Sequence, residues 1–386
     1  MWDDLRKDVE DLSGRLIAWR RELHRHPEVA IKEEWTSAYL REHFKKLGLP
    51  VKKMAGTGLR AVLKGRPVGK TVALRTDIDA LPLQEEGDKA YRSLNPGAAH
   101  ACAHDGHMAI LMGVAELLAR RKGAFKGTVV FLCQPAEEHP PGGAQRMIEA
   151  GALEGVEAIF GFHFWQPLPT GTLGIVKGPM MAQSDNLWIT VRGRGGHGAL
   201  PHTTVDPVLA AAQLVVNLQS VVSRNVDPLK PAVLSFGAVH GGTANNIIPG
   251  EVKLAGTVRT LDPKVQALMI KRIREVIDGT CAAFGASADF VYEDGYPALV
   301  NDPASVDFVL DVAKRALGEE NILAIDPVMG GEDFARYLQE IPGAFLFFGA
   351  GDGTKYPHHH PAFDFDEKAL PPAAFLMTAL ALEYLK

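Results

Sequence analysis

Cysteine is scarce in this chain: Cys102, Cys133 and Cys281 are the three in 386 residues. An odd number at wide spacing excludes a disulfide framework and suits free thiols in a reducing compartment. Long apolar runs are missing as well. The opening stretch, MWDDLRKDVEDLSGRLIAWRRELHRHPE, carries charge throughout and lacks the apolar core of a signal peptide, and no later run approaches transmembrane length. A cytoplasmic protein with no membrane partner is therefore expected. Positive charge is not in excess either. The net charge is −5, whereas a nucleic-acid surface needs a basic face to displace condensed counterions, so no nucleic-acid partner is expected. Repeats, low-complexity tracts and long linkers are absent too. What is there, 46% hydrophobic and 23% charged residues, is ordinary for a globular protein and points to chemistry on small molecules. The length exceeds the about 250–300 residues at which one core stops growing, so two domains are expected.

Apolar, β-rich runs at 71–80 (TVALRTDIDA), 127–138 (GTVVFLCQPAEE) and 158–164 (AIFGFHF) are interleaved with a helical pattern at 108–121 (MAILMGVAELLARR). This alternation predicts an α/β fold: a mixed, mostly parallel sheet flanked by helices. From about 185 the texture changes. DNLWITVRGRGG alternates apolar and polar residues, followed by a helix near 206–223, strands at 232–240 and 250–260, and a helix near 263–284. We read 185–294 as a smaller α+β domain inserted between 1–184 and 295–386. Hinges near 184 and 294 would let it close over a substrate. A strand at 344–351 (AFLFFGAG) and a helix at 368–385 return to the first texture. Gly193, Gly195 and Gly198 match the spacing of a dinucleotide-binding turn, but no helix follows at once and Pro201 interrupts, so they read as a bend.

The stretch HACAHDGHM at 100–108 concentrates groups able to bind a metal. In an extended segment residues two apart face one side, so Cys102 and His104 could both face one ion. Further donors fall where open α/β sheets place their ligands, at the carboxyl ends of strands: Asp77 and Asp79, then Glu137 and Glu138, then His163, with His358–His360 after the last strand. Each alone has a bland reading, such as a cap, a solvated acidic face or a satisfied core histidine. Together they would be costly to bury unless paired or metal-bound. Imidazole, thiolate and carboxylate in combination favour zinc, manganese, cobalt or nickel over magnesium or calcium. Donors scattered from Cys102 to His359 suggest a catalytic rather than a structural site, and their number suggests two ions. Within Glu137–Glu138, one carboxylate can bind metal while the other takes a proton from water.

The ordered motifs RRELHRHPE (20–28), LRTDIDALP (74–82), HACAHDGH (100–107), QPAEE (134–138), GFH (161–163), GRGGHGALPH (193–202), GGTANNIIP (241–249), EDF (332–334) and HHPAFDFDE (359–367) resemble one family nearly end to end. It is the family of N-acyl-amino-acid amidohydrolases, including hippurate and auxin-conjugate hydrolases, within the dinuclear aminoacylases and carboxypeptidases. The resemblance implies metal ligands Cys102, His104, Glu138, His163 and His359, with the Cys102 thiolate bridging two divalent ions. It implies Glu137 as general base and proton shuttle, and Asp79 as the group orienting a metal-bound imidazole. It also implies that His197 reaches the oxyanion of a partner subunit in a homodimer or higher oligomer, and that Asn246 and Arg259 bind the substrate carboxylate. The inserted domain would be the dimerisation and lid element, and the substrate a small N-acyl amino acid. Three departures stand out, one being His139, which follows the acidic pair where Gly is common. Ala103 replaces the usual Gly, which at positive φ would strain the backbone by roughly 1 kcal/mol or more, and His358 replaces the usual Leu, so that His358 competes with His359 as ligand. A dipeptidase or carboxypeptidase on the same machinery, and a non-catalytic metal-binding homologue, are the alternatives.

Overall fold

Continuous apolar runs form strands buried on both faces. In the computed structural model, which describes residues 2–351 and 356–386, Thr71–Asp77 ends a longer strand, and its residues from Val72 to Asp77 are all buried. The elements used below are helices α1 (Trp2–Arg25) and α2 (Glu34–Lys46), strands β1 (Val51–Met54), β2 (Gly58–Lys64) and β3 (Arg66–Asp77), helix α3 (His104–Ala119), and strands β4 (Lys126–Gln134) and β5 (Ala158–Pro169). Other elements are given by residue range.

The first compact unit comprises Met1–Gly178, Val300–Asp326 and Asp333–Lys386. Its sheet runs in the order β1, β2, β4, β3, β5, Gly343–Gly351, Leu173–Gly174, Ile322–Leu323. The four central strands are mutually parallel, with Thr76 opposite Cys133, Leu74 opposite Phe160 and Phe347 opposite His163. Antiparallel pairs close the flank at β1 and β2. Helix α3 is apolar nearly all round, and every residue from His104 to Leu118 is buried. A helix of that kind needs cover on all sides. Leu12 and Leu16 of α1, Phe131 of β4, and Phe375 and Leu376 of the final helix Leu370–Tyr384 belong with it to one core.

The second unit comprises Pro179–Leu299 and Pro327–Glu332. Its antiparallel sheet runs Ala232–Gly241, Glu251–Thr260, Gln183–Arg192, Ser287–Tyr296. Leu187, Ile189 and Val191 are fully buried while the intervening Trp188 is 41% exposed, the alternation of a sheet with one covered face. Helices Pro207–Asn225 and Pro263–Ala283 supply the cover. Each begins with Pro behind an Asp cap: Asp206 accepts from the Val208 amide and Asp262 from the Lys264 amide, both at 2.8 Å. Among the described residues, no helix is long and apolar enough to cross a membrane.

Candidate active site

Three parallel strands deliver the first-unit donors. At the end of β3, the Asp77 carboxylate accepts from Arg75 Nη1 at 2.8 Å and from His107 Nδ1 at 2.7 Å, all within the buried interior. Burial opposes its charge, but His104, His107 and Arg75 outweigh it and hold the Asp77 carboxyl well below the ordinary range. Two residues on, Asp79 does two things. Its main-chain oxygen accepts from His104 Nδ1 at 2.9 Å, while its carboxylate accepts the amides of Glu137 and Glu138, each at 3.0 Å. Orientation of the His104 ring therefore runs through the Asp79 main chain, and the carboxylate, 3.6 Å from that nitrogen, fixes the acidic pair after β4 instead.

The HACAHDGHM segment is not extended. It bends through Ala103, whose φ of 65° is left-handed, and α3 starts at His104. Cys102 and His104 still face one cluster, because the bend and not the strand alternation turns them together. Gly106 serves the same approach: a Cβ there would lie 2.6 Å from Phe365 and 3.0 Å from Phe164.

Ligand-capable atoms of Cys102, His104 and His163 lie within 4.8 Å of one another, as do those of Cys102, Glu138 and His359, and those of His104, Glu137 and Glu138. Cys102 Sγ is 3.4 Å from His163 Nε2, and His359 Nε2 is 3.2 Å from Glu138 Oε1. His358 belongs to none of these groups; its Nε2 donates to the Phe164 carbonyl at 2.9 Å.

Two buried atoms in this cluster, His104 Nε2 and Glu138 Oε1, have no hydrogen-bond partner. Such atoms are costly in a folded protein unless something else satisfies them. Burial, then Glu138 and Glu137, hold the Cys102 thiol well above its usual range. Burial lowers the pKa of His104, but Asp77, Asp79 and then Glu138 overcome it and raise it to about 10. A divalent cation held amid these groups would favour the thiolate of Cys102 and a His104 ring with Nε2 unprotonated. The donor set thus fits a metal centre. A further triad, Asp77, His104 and His107, fits one less well, since His107 spends Nδ1 on Asp77 and Nε2 on the Phe164 amide at 2.9 Å.

A model of peptidase family M20/M25/M40 matches residues 73–383. The chain belongs to that family. It is 42% identical to N-acetylcysteine deacetylase of Bacillus subtilis (strain 168) over 373 residues, 95% of this chain and 96% of that protein. It is 43% identical to N-acyl-L-amino acid amidohydrolase of Geobacillus stearothermophilus over 300 residues, 78% of this chain and 81% of that one. Among solved structures, the Bacillus subtilis YXEP protein, described as a dinuclear metal binding peptidase of the M20 family, matches with a TM-score of 0.86 at 37% identity, covering 97% of this chain and 99% of that one. The α/β fold with its largely parallel central sheet is the fold of this M20 family.

Within the M20 chain, the structure brings Cys102, His104, Glu137, Glu138, His163 and His359 together, with Asp79 beneath them. The remaining expected site residues belong to the second unit. His197 is exposed, and its Nδ1 accepts the Ala199 amide at 3.0 Å, so a neutral ring carries its proton on Nε2. Asn246 is exposed and its carbonyl accepts the Gly198 amide at 2.8 Å. Arg259 is half-buried, with Nη1 donating to the Val258 carbonyl at 3.0 Å and to Thr257 Oγ1; burial lowers its pKa. His107, which holds Asp77, lies in HACAHDGH but is not among the expected site residues, and Glu33, whose carboxylate accepts the Ala136 amide at 3.0 Å, lies outside every motif. For His107 a signal existed, because His104 and His107 are three apart on α3 and so share a face.

Proposed function

We propose that this chain hydrolyses the amide of N-acyl-L-amino acids, releasing a carboxylate and the free amino acid. The observation that carries the reading is the convergence of thiol, imidazole and carboxylate donors around the unsatisfied His104 Nε2, with Glu138 Oε1 facing His359 Nε2 at 3.2 Å. Cys102, His104, Glu138, His163 and His359 would hold two divalent ions. The mixed donors favour zinc or manganese, with cobalt or nickel also accommodated. Bound there, such ions polarise the substrate carbonyl and lower the pKa of water towards about 7.

Glu137 takes the proton from the attacking water. As the water oxygen bonds to the carbonyl carbon and the C–N bond breaks, Glu137 passes that proton to the leaving amine. Asp79 pins the backbone of both acids; what supports Glu137 over Glu138 as the base is that Glu138 Oε1 lies among the other donors, 3.2 Å from His359 Nε2 and 4.0 Å from His104 Nε2. His197, through its outward Nε2–H, would donate to the developing oxyanion, and Asn246 and Arg259 would bind the substrate carboxylate. The second unit is read as a dimerisation and lid domain on the support of its exposed His197. The three buried, unpaired thiols suit action in the cytoplasm.

The test is release of free amino acid from N-acetyl- and N-benzoyl-amino acids and from dipeptides, with metal-reconstituted wild type and Glu137→Ala. Chelator-sensitive release that the variant loses while retaining metal supports the reading. Release from dipeptides alone replaces it with a dipeptidase, and no release with metal bound overturns it.

A further inference from the structure

We propose that His358 is a positioning residue that locks His163 and His359, one from each Cys102-containing donor group, into a single geometry. The inference rests on reading those two histidines as metal ligands.

The main chain of Phe164 is the junction. Its carbonyl accepts two imidazole N–H groups, from His163 Nδ1 at 2.6 Å and from His358 Nε2 at 2.9 Å, while its amide donates to His107 Nε2 at 2.9 Å. With Nδ1 of His163 committed to that carbonyl, its Nε2 is left facing Cys102 Sγ. Any rotation of the Phe164–Trp165 peptide, which carries that carbonyl, would therefore swing the His163 ring. His358 resists that rotation twice over, by its hydrogen bond and by packing its ring 5.3 Å from that of His163.

His358 is itself held. Its ring stacks on Trp165 at 5.1 Å and 24° and lies 4.8 Å from Phe363. The next residue, His359, has a φ of 68°, a left-handed conformation that costs a residue with a Cβ about 1–2 kcal/mol. Such strain persists only where the surroundings impose it. Here the His359 amide donates to the Ala101 carbonyl at 2.8 Å on one side, and the anchored His358 ring fixes the chain on the other. His358 spends Nε2 on that carbonyl and, unlike His163 and His359, belongs to none of the donor groups, so it acts on the ligands and is not one of them. Hydrogen-bonded partners that orient ligating histidines typically change metal affinity by about 10–100-fold.

His358→Phe keeps the ring contacts and removes the N–H; His358→Gln supplies an amide N–H in its place. Chelated proteins are titrated with cobalt(II), following bound metal by elemental analysis and ligand geometry by visible absorption, with His163→Ala as control. Thermal midpoints are compared for the chelated proteins. We expect His358→Phe to bind at least about 10-fold more weakly with a changed cobalt spectrum, an unchanged chelated midpoint, and recovery in His358→Gln. Wild-type binding by His358→Phe, equal loss in both variants, or a fall in the chelated midpoint of His358→Phe would each overturn the proposal, the last by marking a merely structural role. If His163→Ala also binds cobalt as wild type does, it is the ligand assignment that fails.

Discussion

The Glu33 carboxylate accepts the main-chain amide of Ala136 at 3.0 Å, and Ala136, at φ 56°, stands directly before the acidic pair Glu137–Glu138. Asp79 takes the next two amides. Successive N–H groups of the loop after β4 are thus turned onto two buried carboxylates, which sets the direction in which Glu137 and Glu138 leave the chain. Glu33 also accepts Thr57 Oγ1 at 2.6 Å and the Ile31 amide at 3.0 Å.

Glu33→Ala should therefore damage both stability and turnover. Removing the carboxylate orphans the Ala136 amide and the Thr57 hydroxyl, at about 1–3 kcal/mol for each group left unsatisfied. We expect urea unfolding to show a loss of about 2–4 kcal/mol. Release of Ala136 from its left-handed conformation displaces Glu137, so kcat should fall by about 10–100-fold with bound metal unchanged. Glu33→Gln keeps an acceptor for the amide and should retain most activity. Full turnover in the Ala variant would show that Asp79 alone holds the loop.

Convergence of donors was readable from sequence because parallel strands bring their carboxyl ends to one edge, and Asp77 and Glu137 sit at or after such an end, whereas His163 lies within β5, which runs on to Pro169 beyond the expected end at 164. The alternating burial of Leu187, Ile189 and Val191 was equally plain in the pattern. The choice between His358 and His359 was not. Neighbours in an irregular loop have no period to assign them a side, and the positive φ of His359 decides which ring joins Cys102 and Glu138. Glu33 was hidden for a different reason. In KEE it reads as a solvated charge, and its partner Ala136 lies 103 residues away, a separation no local pattern can report.

Beneath α3, Arg20 is fully buried and binds Asp105 through Nε at 2.7 Å, Asp364 through Nη2 at 2.6 Å and Glu367 through Nη1 at 3.1 Å. Asp105 follows His104, so this network anchors the start of the helix that carries the donors. Arg20→Met strands the buried Asp105 carboxylate and should cost about 3–5 kcal/mol in denaturant unfolding. Arg20→Lys should not rescue it, since a single ammonium cannot reproduce a guanidinium fork spread over three carboxylates. A loss below about 1 kcal/mol in the Met variant would mean that His24, 2.8 Å from Asp105, suffices on its own.

Acid sensitivity should trace in part to Glu85, whose carboxylate meets His24 Nε2 at 2.9 Å and Lys89 Nζ at 3.2 Å. Burial opposes its charge, but His24, the Ser93 amide and Lys89 outweigh it, lowering the pKa from 4.5 to about 2. A depressed carboxyl stabilises the fold above its unfolded pKa and loses that contribution as pH falls through the folded value. His24 runs the other way: burial lowers its pKa, yet Asp105 and Glu85 raise it overall from 6.5. Its contribution is complete below 6.5 and is lost as pH rises past the folded value. Unfolding free energy should therefore drop between pH 4.5 and about 2, and Glu85→Gln should flatten that limb while leaving a slope above neutrality. An unchanged acid limb in the variant would assign it to other carboxylates.

Ala103 gives the sharpest test of backbone strain at the site. It is fully buried, caps α3 at φ 65° and ψ 12°, and its carbonyl accepts the amides of Gly106 at 2.9 Å and His107 at 3.1 Å. The left-handed turn is what brings Cys102 and His104 to one cluster, so the chain keeps it despite a Cβ that costs about 1–2 kcal/mol there. Glycine removes that strain but adds about 0.5–1 kcal/mol of backbone entropy to the unfolded state. Ala103→Gly should therefore stabilise by about 0.5 kcal/mol and keep its metal, whereas Ala103→Val, β-branched in a left-handed conformation, should lose at least about 2 kcal/mol and metal with it. Urea unfolding of the chelated proteins measures the first effect and elemental analysis the second. A Gly variant less stable than wild type by more than about 1 kcal/mol would mean that the Ala103 methyl packs well enough to offset its own strain.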